Sequence, residues 1–118
     1  MRKVKEKTFL ICPVRGHSKN ETAHLVKDLE KHYKVHWPPR DTDQVDDTGY
    51  RICRDNEAAI DEADVIHVVW DGKSQGCLFD LGMCFAKKKR MIPVELPKST
   101  NGKSFQNMLK YWAAIERY

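Results

Sequence analysis

The segment VIHVVW, residues 65–70, limits the fold more than any other part of the chain. A strand with one wet face alternates apolar and polar side chains. This run is apolar almost throughout, which marks a strand covered on both faces, as in a parallel sheet sandwiched by helices. It is also far too short to span a bilayer.

The segments around it alternate in the way such a sheet requires. TFLIC, at 8–12, reads as a first strand ending at Pro13. A loop, PVRGH, leads to Ser18 and Glu21, a capping box that opens a helix with Leu25, Val26, Leu29 and Tyr33 on one face. KVHW is a short second strand, followed by the polar loop PPRDTDQVDDTG. From about Tyr50 a second helix places Ile52, Asn56, Ala59, Ile60 and Ala63 on one stripe. After the apolar strand come the loop DGKSQG, a helix over about 77–88, and a fourth strand, RMIPVEL. Pro93 cannot donate to a ladder, so that strand belongs at a sheet edge. A last helix carries Phe105, Met108, Leu109 and Trp112 at helical spacing.

Right-handed crossovers then give an α/β three-layer sandwich: a flavodoxin- or Rossmann-like parallel sheet of about four strands, order 2-1-3-4, with helices on both faces. At 118 residues the chain is read as one domain over 1–118, with 1–7 a flexible basic tail. In this order the chain leaves strands 1 and 3 in opposite directions, and ligands bind in the crevice at their carboxyl ends. The loops at that crevice are 13–19 and 71–76.

The net charge of +4 is mild, and the basic runs at 1–7 and 87–90 read as a tail and a charged helix end. No base-reading or aromatic partners accompany them, so no nucleic-acid partner is expected. Cys12, Cys53, Cys77 and Cys84 form no C-x-x-C pair, so a metal site is not expected and reduced thiols are. The N-terminus has no apolar stretch behind its positive charge. A cytoplasmic protein with no membrane contact and no cofactor is the expectation.

The chemistry concentrates in SQGCLFDLG, residues 74–82. Asp80 sits among Leu78, Phe79, Leu81, Met83, Cys84 and Phe85. An acid near a helix N-terminus gains from the dipole. An acid in apolar company is costly unless it is bonded or has a function, and function is the favoured reading. Gly76 is read as permitting the tight turn into the helix, and Gly82 as marking close approach by backbone or ligand. Asn56 on an apolar stripe needs partners, which core backbone or a ligand could supply equally. Asp55 follows Arg51 by four residues and reads as its surface partner. Arg15, His17 and Ser18, at a helix start, make a phosphate seat that Lys73 and Ser74 from the second loop could complete, although Ser18 also reads as a plain cap. Gly16, Asp71 and Gly76, in the same two loops, join the candidate substrate-binding residues. His67 reads as a satisfied core histidine. Trp37 and Trp70 could each stack on a base or belong to the core.

FLICPVRG, NEAAIDEADVIHVV and SQGCLFDLGMCFA, in that order and covering most of the chain, resemble the nucleoside 2-deoxyribosyltransferases and their relatives that hydrolyse nucleoside 5'-monophosphates. The resemblance implies cleavage or transfer of an N-glycosidic bond through a carboxylate nucleophile, which trades an oxocarbenium-like transition state for a glycosyl-enzyme intermediate. By position Asp80 takes the place of that family's catalytic Glu, and Asn56 that of its second-motif Asp. Arg15, Gly16 and Ser74 match the members that hold a 5'-phosphate. The resemblance further implies a homodimer whose partner is a small nucleotide or nucleoside. The alternative is a nucleotide-binding module of the same fold without turnover. A flavin-binding domain is a weaker third reading, because the first loop is short of hydroxyls.

Overall fold

The computed structural model describes residues 4–13 and 19–115. Within them the order is β1 (Glu6–Ile11), α1 (Lys19–Leu29), β2 (Tyr33–His36), α2 (Pro38–Asp41), α3 (Tyr50–Glu62), β3 (Val65–Val69), α4 (Gln75–Ala86), β4 (Arg90–Glu95) and α5 (Phe105–Ile115). The strands form one parallel sheet in the order β2-β1-β3-β4. This is the α/β topology expected from the alternation of apolar runs and helical patterns.

β3 is buried along its whole length, as its continuous apolar run requires. Phe9, Ile11, Ile66, Val68 and Met91 face a layer made by α3, α4 and α5, where Ile60, Leu81, Cys84, Leu109 and Trp112 close the larger core cluster. Leu10, Cys12, Val35 and Val69 face the other way, under Val26, Leu25 and Leu29 of α1. Tyr33 joins that second cluster from β2, not from α1, which ends at Leu29. Pro93 lies on edge strand β4, and the ladder there skips a residue, Val68 pairing Pro93 and Val69 pairing Glu95. The missing donor is thus accommodated at the sheet's rim.

Several elements differ from expectation, β2 among them, which runs over Tyr33–His36 and leaves Trp37 outside the strand. β1 begins at Glu6 because Glu6 and Lys7 pair with Tyr33 and Lys34. Asp64 reinforces that start, its Oδ2 accepting the Lys7 N–H and its own N–H reaching the Lys7 carbonyl, both at 2.8 Å. Residues 6 and 7 therefore belong to the sheet and not to a basic tail. The loop after β2 holds a short helix, α2, with Pro at its first positions, where a missing N–H costs nothing. α4 starts two residues earlier than its apolar pattern, at Gln75, with Ser74 as cap.

Two cations of the basic run at 87–90, Lys87 and Lys89, are structural. Lys87 pairs with Asp61 at 2.6 Å, and the Lys89 ammonium donates to the carbonyls of Asp61 and Ala63 at 3.0 and 2.8 Å. Cations thus cap the carboxyl end of α3, where its dipole is negative. Among the described residues no helix is long and apolar enough to cross a membrane.

Candidate functional site

A cleft of about 150 Å³ opens at the carboxyl ends of β1 and β3, where the chain departs to opposite sides of the sheet. Cys12 reaches it from the end of β1, Cys53 and Asn56 from the first turns of α3, and Ser74, Gly76 and Asp80 from the start of α4. Leu10, Ile52 and Phe79 make much of the remainder apolar.

Asp80 stands in the second turn of α4, half-buried on the cleft wall. Among the described residues it has neither a cation nor a hydrogen-bond donor. Burial alone pushes its carboxyl up from 3.8 to about 7, so near neutrality it exists as acid and carboxylate in comparable amounts. Its charge in turn disfavours ionisation of the surrounding thiols. Burial first, and Asp80 after it, hold Cys12 at about 11 and Cys77 and Cys84 at about 12. All four cysteines are free thiols, and neutral ones are poor nucleophiles. Among the described cleft residues, Asp80 is therefore the group equipped to attack an electrophile or pass a proton.

Asn56 is buried, and where core backbone or a ligand was expected as its partner, it meets a side-chain hydroxyl. Its Oδ1 accepts the Thr42 hydroxyl at 2.9 Å, while its side chain lines the cleft. With the oxygen engaged, the amide group is what Asn56 offers to a ligand. Thr42 is itself buried and shares its hydroxyl with His36 Nε2 at 2.9 Å. Burial lowers the His36 pKa below 6.5, which favours a neutral imidazole.

Ser74 and Gly76 join the cleft as expected. Ser74 also caps α4, its Oγ accepting the Cys77 N–H at 3.3 Å. Gly76 lies inside the helix without a left-handed backbone. The turn before α4 instead depends on Gly72, at φ +81°, and on Asp71, whose Oδ1 accepts the N–H groups of Lys73 and Ser74 at 2.8 Å each. Asp71 is exposed and absent from the cleft wall, so its visible work is in the turn. A Cβ on Gly82 would meet nothing within 4 Å, so no backbone approach explains that glycine. Arg15, Gly16, His17 and Ser18 lie outside the described residues.

The remaining aromatic and ionic expectations resolve into packing. His67 is buried, its Nδ1 2.6 Å from the Thr8 hydroxyl, and burial lowers its pKa to about 4. Trp70 belongs to the larger core, and its indole N–H reaches the Ser74 carbonyl at 3.2 Å, which ties β3 to the start of α4. Trp37 packs on the α1 side of the sheet. Arg51 and Asp55 pair on the surface of α3.

Thr42, Cys53 and Cys12 carry no periodic signal that points to a site. The only sequence hint for Thr42 is its place between two acids in RDTD, in a loop that follows a strand's carboxyl end. Among the described residues no group of His, Cys, Asp and Glu is placed to hold a metal ion. No protein-family model matches the chain, and no curated protein matches it. Fold and site define a parallel α/β protein with a carboxylate in its switch-point cleft.

Proposed function

We propose that this protein cleaves the N-glycosidic bond of a nucleoside 5'-monophosphate or nucleoside, as the resemblance to the nucleoside 2-deoxyribosyltransferases implies. The observation that carries the reading is Asp80: a half-buried carboxyl with no compensating partner among the described residues, on the wall of the switch-point cleft. In this reading its ionised oxygen bonds to the anomeric carbon as the bond to the base nitrogen breaks, the electron pair leaving with the base. Water then opens the glycosyl ester, giving its hydroxyl to the sugar and, in net terms, its proton to the base. A second base in place of water makes the reaction a transfer.

Asn56 would donate to a sugar hydroxyl. Ser74 and Gly76, at the amino end of α4, would join Arg15, Gly16 and His17 in holding the phosphate. Exposed apolar side chains on the outer layer, Tyr50, Phe79, Phe85, Met108, Tyr111 and Ile115, suit the homodimer that the resemblance implies. Sedimentation equilibrium tests that assembly, and a monomer at all concentrations would remove it.

One observation favours a second reading, a nucleotide-binding module without turnover. Asp80 is the sole carboxylate among the described residues of the cleft, where retaining glycoside chemistry uses two. One experiment separates the readings. The protein and its Asp80→Asn variant are incubated with the ribo- and deoxynucleosides and their 5'-monophosphates, and free base is measured by chromatography. Base released by the wild type and not by the variant supports glycosidic cleavage. No release, with the same compounds raising the melting temperature, supports the binding module. Neither release nor stabilisation would overturn both.

A further inference from the structure

The cleft's amide donor is held from behind by a chain that leads away from the site. Asn56 Oδ1 is 2.9 Å from the Thr42 hydroxyl, which is 2.9 Å from His36 Nε2. A hydroxyl has one proton to give. Because Thr42 donates to Asn56, it must accept from His36, which places the imidazole proton on Nε2. Reversing the chain would put a proton on Thr42's bond to His36, turn the carboxamide over, and present an oxygen to the cleft.

We propose that Thr42 is a positioning residue, which with His36 fixes the carboxamide of Asn56 so that its NH₂ faces the cleft as a hydrogen-bond donor. The ligand group there is consequently an acceptor, such as a sugar hydroxyl oxygen or an anionic oxygen. Several features support the chain as a built device. Thr42 and Asn56 are both buried, at 5% and 6% exposure, and His36 is stacked on buried Phe9 with ring centroids 5.3 Å apart. The three residues come from β2, the cap of α2 and α3, so the chain fixes α3's first turns against the sheet's edge. Thr42 is anchored by its backbone too, its N–H reaching the Pro38 carbonyl at 3.0 Å. Asn56 Nδ2 has no partner among the described residues.

Two measurements test this, and only the kinetic one rests on the glycosidic reading. The first needs no ligand: the side-chain amide resonances of Asn56, identified by their loss in Asn56→Ala, and the His36 ring nitrogen shifts, which report the tautomer. In Thr42→Val the Asn56 amide signals should move or broaden and the His36 ring nitrogens should lose their Nε2–H signature. Thr42→Ser should restore both. The second is base release from whichever deoxynucleoside 5'-monophosphate the wild type cleaves. There Thr42→Val should lower kcat by about 10- to 100-fold, the cost of misplacing a group by about an ångström, with a much smaller change in KM. Should Thr42→Val not fold, Thr42→Cys keeps the shape with a weak donor and is read the same way. Unchanged Asn56 and His36 signals in a folded variant would overturn the proposal. So would Ser and Val variants that behave alike. If the wild type releases no base, the glycosidic reading falls and the resonances alone decide the positioning role.

Discussion

A carboxyl that keeps its proton up to about pH 7 when folded, but only to 3.8 when unfolded, makes stability fall as pH rises between those values. Below about pH 3 both states hold the proton and Asp80 contributes no penalty. Above about pH 7 both have lost it, and the folded state bears the full cost of a charge away from water. Asp80→Asn should therefore leave stability near pH 3 unchanged and raise it at pH 8. The expected gain is about 2–4 kcal/mol, the lower end allowing for solvent that reaches the half-buried group. Urea titrations of both proteins at the two pH values check this, and an equal gain at both would point to packing instead. Activity has the opposite slope. A nucleophilic Asp80 must be ionised, so kcat for base release should rise through about pH 7, while the contribution of this residue to stability falls. Asp80 was legible in the sequence because one acid interrupts an apolar helix. Thr42 was not, because its partner lies 14 positions away and depends on where a loop returns to the fold.

Among the elements, α4 shows how local chemistry and helix propensity can part company. Its turn needs Gly72, whose backbone is left-handed and where a Cβ would stand 3.1 Å from Pro97 Cγ. Gly72→Ala should destabilise by about 1–2 kcal/mol from the backbone conformation alone. Gly82 has neither constraint: it is exposed in mid-helix, with nothing within 4 Å of a Cβ. Gly82→Ala should thus stabilise by about 0.5–1 kcal/mol, since alanine loses less backbone entropy on entering a helix. Thermal melts of the two variants should move in opposite directions. A loss of stability in Gly82→Ala that appears only at concentrations favouring a dimer would show that a second chain packs over that position. The sequence placed the turn correctly but assigned it to Gly76, because spacing locates a glycine and cannot tell a left-handed one from a helical one. β3 and the helices with clear apolar stripes were readable for the opposite reason: burial dictates a period over many residues. α2 was missed because PPRD reads as a turn and also suits a single helical turn.

At the scale of the molecule, the sheet is covered unequally. Among the described residues α1, with Trp37 beside it, packs on one face, and α3, α4 and α5 share the other, so the larger cluster should govern global stability. Leu109 of α5 is fully buried there, with Trp112 of the same helix beside it in the cluster. Removing its side chain loses transfer free energy and leaves a cavity that strands β3 and β4, fixed by their ladder, cannot readily fill. Leu109→Ala should cost about 2–5 kcal/mol. Val26→Ala in the α1 cluster removes two carbons from a more open layer, about 1.6 kcal/mol before any cavity contribution. Urea unfolding followed by tryptophan fluorescence measures both, since Trp70 and Trp112 report the larger cluster and Trp37 the smaller. Coincident transitions at all wavelengths, with Leu109→Ala the more damaging, would show one cooperative unit spanning the sheet. If Val26→Ala instead separated the signals, the α1 face would be unfolding on its own. The cleft, whose wall draws on both faces through Cys12 and Asp80, would then lose its shape before the molecule lost its fold.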